Sequence, residues 1–470
     1  MAKENIVGRE KEQQMLHDYV SSANAEFIAV YGRRRIGKTF LVKQYFDEQF
    51  DFYVTGIYDK SKKEQLANFN RQLNKYSGAY YPYVDDWFEA FTQLQHYLET
   101  LHDKHRIIVF LDELPWMDTP RSKFIRALEL FWNEWASNKP NVKLIVCGSA
   151  TTWMTNKLLG DKGGLHNRVT RPIRLRSFTL KETEEYLIKH GFAKDRIQML
   201  ESYMVFGGTP FYLSMLNPRF SMTQNVDELF FSETAPLRDE YVFLFRSLFN
   251  DALTYRRIVE TLAKKAKGMT KREIIEELGV TDNGNLTEIL DNLCKCDFIR
   301  KYSAFGKKER DMMYQLVDHY CLFYLRYVQH DNSQDQHRWS HTIDNGAKQA
   351  WSGYAFEQVC LRHIEQIKQA LKIDTILSDV CSWQNAEAQI DLVIERNDHT
   401  INLCKMKYRQ EPFSVTKKYY EEMNNRRELF RKTTKSTKAL HLTIVTPFGI
   451  KDNAQAKEIQ SIVTLDDLYK

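Results

Sequence analysis

Cysteine is scarce in this chain of 470 residues: seven are scattered, only Cys294 and Cys296 stand close together, and no pair has C-x-x-C spacing. Structural zinc sites and redox pairs use that spacing, and disulfide scaffolds need dense cysteine, so none of these is indicated and the thiols are expected to be reduced and buried. Long apolar runs are also missing. Nothing approaches the roughly 18 residues of a membrane span, and the opening MAKENIVGRE has no apolar core, so a cytoplasmic protein with no membrane contact is expected. Nor is there much charge of one sign. A net +5 over this length makes no patch by itself; it permits contact with DNA without arguing for it. What the chain does have is a generous share of aromatics and an ordinary share of charge, the composition of a folded protein long enough for about two to four domains.

The strongest pattern comes early. EFIAVYGRRRIGKTFLVKQYF is a short apolar strand, then Gly32-x-x-x-x-Gly37-Lys38-Thr39, then an apolar helix that begins without a break. Glycines let backbone N–H groups close around a triphosphate at a helix N-terminus, with Lys38 reaching the β and γ phosphates and Thr39 ligating Mg²⁺. The expected ATP-binding residues are therefore Gly32, Arg33, Arg34, Arg35, Ile36, Gly37, Lys38, Thr39 and Phe40. For the three arginines two readings stand: contact with phosphate or a partner, or a solvated run. RIIVFLDELPWMD follows, a continuous apolar strand that ends in Asp112-Glu113. Ligands of α/β sheets bind at the carboxyl ends of strands, where Asp112 can hold Mg²⁺ and Glu113 can polarise water. A third strand, VKLIVCGSA, ends in Ser149, which either senses the γ-phosphate or water, or merely caps a turn.

IVGREKE, the phosphate loop, FLDELPW, CGSATTW and FGGTPFYL, in this order, resemble the archaeal-type ATPase family within the AAA-like signal-transducing NTPases, over roughly the first half of the chain. The resemblance implies a five-stranded parallel core followed by a helical lid. It places Val7 to Glu10, with Gly8 and Arg9, beside the adenine, and the Gly207-Gly208-Thr209-Pro210 turn over the nucleoside. Arg168, in LHNRVTRPIRLRSF, stands where similar proteins carry an arginine that acts as a finger from a neighbouring subunit or segment; the other reading is a surface arginine. A finger acting between subunits would require a homo-oligomer.

The expected order of domains is an ATPase core over 1–178, a helical lid over 179–245 opened by the capping box Thr179-x-x-Glu182, and a winged helix-turn-helix over 246–328. A polar linker over 329–345 and an α/β domain over 346–470 complete the chain. In the winged module the second helix is expected over Asn285 to Lys295 and a basic wing over Lys301 to Arg310. Glu288 and Asp291 repel phosphate, which favours a relay that packs on the ATPase over a reader of DNA. His330, His337 and His341 in the linker lack acid or cysteine at ligand spacing and read as solvated.

In the last domain an amphipathic helix carries Glu357, and QIDLVIER and INLCKMKY alternate as two strands of a hairpin. A hairpin centred near His399 would set Asp391 opposite Lys407 and Val393 opposite Lys405, on one face. This arrangement resembles restriction-endonuclease-like nucleases, a fold that usually accompanies this ATPase family. The resemblance makes Glu357 and Asp391 metal ligands and Lys407 catalytic, but Lys405 stands where a glutamate is expected. An ammonium in place of a ligand repels the metal by on the order of 4 kcal/mol per close pair at an intermediate dielectric. Glu395 shares the face but lies about 13 Å along the strand, whereas Glu387 sits in a loop that could reach in. Simple ion pairing of Asp391 with Lys405 or Lys407 is the alternative. Two functions follow. One is an ATP-binding, slowly hydrolysing switch that controls a nuclease-like domain which binds nucleic acid or a partner without cutting. The other is an active ATP-regulated, Mg²⁺-dependent DNA nuclease in defence.

Overall fold

The computed structural model describes residues 5–102, 104–160, 167–280, 284–306, 311–342 and 346–470, and the chain divides after Ser177 into two compact units. The first is built on five parallel strands: β1 (Glu26–Tyr31), β2 (Phe52–Thr55), β3 (Ile107–Asp112), β4 (Val142–Gly148) and β5 (Arg171–Arg174), in the order β2-β3-β4-β1-β5. β3 and β4 are buried along their whole length and β1 along all but Tyr31, as strands covered on both faces must be. Side-chain alternation divides their apolar residues between two cores: Phe27, Ala29, Val109, Leu111, Leu144 and Val146 on one face, and Ile28, Val30, Ile108, Phe110, Ile145 and Cys147 on the other. The five-stranded parallel core implied by the resemblance is thus present. Because the strands are parallel, the carboxyl ends of β1, β3 and β4 open on one edge, where the polar residues stand.

The second unit starts with helices Leu180–Lys189, Arg196–Phe206, Met222–Phe230 and Glu240–Leu248. The capping box forms as expected: Thr179 Oγ1 accepts from the Glu182 N–H at 3.2 Å, and the Glu182 carboxylate accepts from the Thr179 N–H at 2.8 Å. Helix Ala252–Ala263, β6 (Met269–Thr270), helices Lys271–Leu278 and Gly284–Lys295, β7 (Ile299–Tyr302) and β8 (Met313–Leu316) follow, the strands forming an antiparallel sheet in the order β6-β8-β7. The helix expected from Asn285 begins one residue earlier. Of the expected wing, Lys301 and Tyr302 close β7, and 307–310 lie outside the described residues.

The stretch expected as a linker is not a free spacer up to Thr342. Trp339 is buried against Phe323 and Tyr327, and Asp227 accepts from the backbone N–H of Trp339 at 2.7 Å and of Ser340 at 3.1 Å. One aromatic among polar neighbours is enough to anchor a segment, since burying it removes a large apolar area from water. His341 Nδ1 lies 2.8 Å from Asp335 at the surface, and 343–345 are outside the described residues.

The final sheet contains β9 (Ser378–Gln384), β10 (Gln389–Arg396), β11 (Thr400–Met406), β12 (Ala439–Val445) and β13 (Ser461–Val463), ordered β13-β12-β11-β10-β9. The first three strands are antiparallel, and β11, β12 and β13 run parallel. Helix Gly346–Arg362 covers Leu392, Ile394, Cys404 and Met406, and helix Lys417–Thr434 covers Val393, Ile401, Leu403 and Leu442. Helices that follow Phe178 share one apolar core with this sheet. Polar ties reinforce it. Buried His363, pushed down to about 4 chiefly by burial, stays neutral; Nδ1–H donates to the Val359 carbonyl at 2.8 Å and Nε2 accepts from the Leu180 N–H at 3.0 Å. Arg196 grips both Glu184 oxygens, at 2.8 and 3.0 Å, and reaches Asp466 at 2.5 Å. No helix among the described residues is long and apolar enough to cross a membrane.

Candidate functional site

In the first unit the chain leaves β1 at Tyr31 and turns through Gly32, φ 148°, and Gly37, φ 84°, before helix Lys38–Tyr45 begins. Both angles lie where side chains are strained, so the loop depends on glycine at its two ends. Lys38 is buried, and its Nζ donates to the Arg33 carbonyl at 2.8 Å, folding the ammonium across the loop. Arg33 and Ile36 are buried, Arg34 and Arg35 half-buried, and Phe40 exposed. Arg9 sits against the same loop, with Gly8 just before it. Buried Arg9 donates to the Ile36 carbonyl at 3.3 Å, and Gln13 donates to the Gly8 carbonyl at 2.7 Å.

Thr39 Oγ1 lies 3.0 Å from each oxygen of Asp112, so the first turn of the helix meets the end of β3. Burial pushes the Asp112 carboxyl up, Glu113 adds to this, and hydrogen bonds from Cys147 and Thr39 oppose it. Asp112 also accepts from the Glu113 backbone N–H; a buried carboxylate set against a hydroxyl is a hard oxygen pair that suits a divalent cation, and these groups therefore fit Mg²⁺. Glu113 is left-handed, φ 47°, and its Oε2 accepts from Ser149 twice, from N–H at 3.1 Å and from Oγ at 2.8 Å. Sequence spacing gave no sign of this pairing, which depends on β3 and β4 being neighbours. Cys147, fully buried beside Asp112, also went unmarked in the sequence. Arg168 is exposed, just before β5. Gly208 and Pro210 belong to the second unit, where Gly208 has φ 64° and Pro210 opens helix Pro210–Leu213.

The C-terminal hairpin corrects the expected register. Pairs Leu392↔Cys404, Val393↔Leu403 and Ile394↔Asn402 centre the turn at Asp398 rather than His399, so Asp391 faces Lys405 rather than Lys407. The Lys405 ammonium lies 2.7 Å from Asp391 Oδ2, and Gln389 donates to the other Asp391 oxygen at 2.5 Å. Lys407 instead rests over the Tyr419 ring at 5.3 Å; burial pushes its ammonium down, and Lys405, Arg409 and Arg426 add to the shift. A pocket of about 310 Å³ opens beside the Asp391–Lys405 pair, with Lys267, Asn385, Glu387 and Arg426 in its wall. Among the described residues no three His, Cys, Asp or Glu side chains group to hold a metal. The donors here do not fit one, because an ammonium already occupies Asp391.

Glu357 lies close enough to feel Asp391, Lys405, Arg300 and Lys267. Burial first, then the Asp391 carboxylate, push its carboxyl up to about 7 against the pull of the three cations. The folded carboxyl keeps its proton to higher pH than an unfolded one at 4.5, so folding stability falls as pH rises from 4.5 to about 7 and is level above that. Glu357→Gln is expected to remove this slope and to raise the melting midpoint by a few degrees at about pH 8, with little change near pH 5. Thermal unfolding of both proteins at the two pH values measures it; a variant that melts lower at the higher pH would make ionised Glu357 a net stabilising partner and end this reading.

Residues 6–216 match a family described as an ATPase domain predominantly from Archaea, and 320–426 match one described as archaeal and bacterial proteins of unknown function. The chain therefore carries an archaeal-type P-loop ATPase domain, with ATP as its ligand. Among proteins similar to it is an uncharacterized protein of Methanocaldococcus jannaschii, 26% identical over 432 residues that span 91% of this chain and 92% of the relative. A Walker-type ATPase of Pyrococcus abyssi is 17% identical, covering 69% of this chain and 97% of its own, with a TM-score of 0.49. A signal-transduction ATPase with a tetratricopeptide repeat sensor from Pyrococcus horikoshii is 15% identical, covering 79% and 52%, with a TM-score of 0.32.

Proposed function

We propose that this protein is a slow ATP-driven switch whose C-terminal α/β domain, restriction-endonuclease-like in its Glu357, Asp391 and hairpin, binds a ligand without cutting it. On the nucleotide side, Lys38 neutralises the β and γ phosphates, the loop backbone donates to them, and Glu113 orients the attacking water once released from Ser149. Thr39 and Asp112 would hold Mg²⁺, which would supply positive charge to offset that of the phosphates. Arg168, exposed, is the residue to reach a neighbouring copy's nucleotide. Residues 246–328 read as a winged helix-turn-helix that relays between the lid and the last domain. The ties of His363 to Leu180 and of Arg196 to Asp466 support a direct coupling beside it, since they would make lid helices and last domain shift together.

The observation that carries the non-cutting reading is the 2.7 Å Lys405–Asp391 pair. Hydrolysis of a phosphodiester by a metal needs carboxylates free to gather it, and here the central carboxylate holds an ammonium in a partly buried place. Plasmid nicking with Mg²⁺, with and without ATP, tests it. Wild type is expected not to nick, and Lys405→Glu is expected to gain Mg²⁺-dependent nicking by restoring a carboxylate beside Asp391. Nicking by wild type that Asp391→Asn abolishes would sink the proposal and establish the nuclease reading.

A further inference from the structure

Three separate elements bring a positive charge to the C-terminal pocket: Lys267 from the segment before β6, Lys405 from β11 and Arg426 from helix Lys417–Thr434. Two carboxylates share the wall, Asp391 and Glu387. Asp391 is taken by Lys405, but among the described residues neither the Lys267 nor the Arg426 side chain has a hydrogen bond or an ion pair. Lys407 and Arg409 add positive charge nearby: burial first, then Lys405, Arg409 and Arg426, disfavour the charged form of Lys407, with Glu422 opposing them. Like charges gathered in a partly buried place repel one another, and an anion drawn in among them relieves the repulsion. The candidates have the right chemistry for phosphate. Arg426 offers a planar fork that matches two phosphate oxygens, and Lys267, exposed, can swing its ammonium to a third. Asn385 uses its Oδ1 to accept from the Glu387 and Ala388 N–H groups, at 2.9 and 2.7 Å, which leaves its amide NH₂ as a further donor.

We propose that this pocket takes one phosphate group of a nucleic-acid strand, held by Arg426 and Lys267 without a metal ion, while Lys405 tied to Asp391 provides the positive charge a metal would otherwise bring. The proposal deepens the non-cutting reading and rests on it. Two sources share this chemistry, an internal phosphodiester and a 5′-terminal phosphate. The pocket is built jointly by the three-stranded module and the final sheet, so occupancy would clamp one to the other.

Fluorescence anisotropy of the full chain with a short 3′-fluorescein duplex in EDTA, without ATP, tests it. The Lys38→Ala protein is run alongside, so that phosphate captured by the nucleotide loop is not counted. Both proteins are expected to bind equally, Mg²⁺ is expected to add nothing, and Arg426→Ala and Lys267→Ala are each expected to weaken binding about tenfold, the loss of one charge-assisted contact. Arg426→Lys, which keeps the charge and the stem but not the fork, is expected to fall in between. Equal binding of hydroxyl-ended and 5′-phosphorylated duplexes identifies the phosphodiester; binding of the phosphorylated duplex alone identifies the terminal phosphate. No binding in EDTA, binding that appears only with Mg²⁺, binding lost in Lys38→Ala, or binding indifferent to both alanine substitutions overturns the proposal. Wild type that binds in EDTA yet nicks in Mg²⁺ would keep the pocket and sink only the non-cutting reading.

Discussion

Lys38→Ala is expected to lower ATP affinity and turnover by at least about a hundredfold, the effect of removing a charge that meets two phosphates inside a buried loop. Position 38 opens a helix and alanine is the best helix former, so the loss falls on the ligand rather than the fold. Its ammonium already lies across the loop at the Arg33 carbonyl, and ATP has only to draw it the short distance to phosphate. Glu113→Gln is the matched comparison. Glutamine keeps an oxygen to accept from Ser149 but cannot polarise water as a carboxylate does, so turnover should drop by about 10²–10⁴ while ATP affinity changes little. Equilibrium binding of ATP and steady-state phosphate release, measured on both variants, separate the two roles. Hydrolysis by Lys38→Ala at the wild-type rate would remove the phosphate-loop assignment.

Gly32→Ala is expected to destabilise the first unit by about 3 kcal/mol or more, a fall of roughly 6–12 °C in its melting midpoint. A Cβ at this position would lie 2.3 Å from the Leu175 carbonyl oxygen and 2.6 Å from the end of Ile36, at a φ of 148°. The Ile36 side chain can move aside. The carbonyl cannot, because the Leu175 N–H is bonded to Tyr31 at 2.8 Å at the end of the β1–β5 ladder, and a retreat would open that pairing. Gly37→Ala makes the contrast: it meets nothing within 4 Å and is strained only by its φ of 84°. Calorimetry of the full chain, following the transition that ATP raises, compares them. Equal midpoints for the two variants would mean that the Leu175 contact yields without loss.

How much of this was legible in the chain depends on distance along it. The nucleotide loop is written in about twenty consecutive residues, and strand, glycines, Lys38 and helix each act through local backbone chemistry. Asp112 and Glu113 were legible for a related reason, since a buried apolar strand ending in acids needs only the rule that parallel strands end at a ligand edge. The bond from Ser149 to Glu113 was not, because it joins residues 36 apart through the adjacency of two strands. Trp339 was hidden by its own surroundings, a polar segment whose single aromatic finds a place beside Phe323 only once the fold exists.

The hairpin shows most directly where reading stops. Alternation alone correctly put Asp391 and both lysines on one face, but the partner depended on the turn. His399 takes a left-handed conformation, φ 61°, and the turn centres on Asp398; moving a centre by one residue moves every cross-strand partner by two. That keeps the face and exchanges Lys407 for Lys405. By itself, then, the sequence determined that this protein has a parallel nucleotide-binding sheet and which residues line its loop, because those features are made by neighbours in the chain. Only the tertiary structure decided that Asp391 would hold an ammonium and that Lys267 and Arg426, 159 positions apart, would share one pocket. Contacts of that kind depend on turn geometry and on packing between modules, and single residues carry no local mark of either.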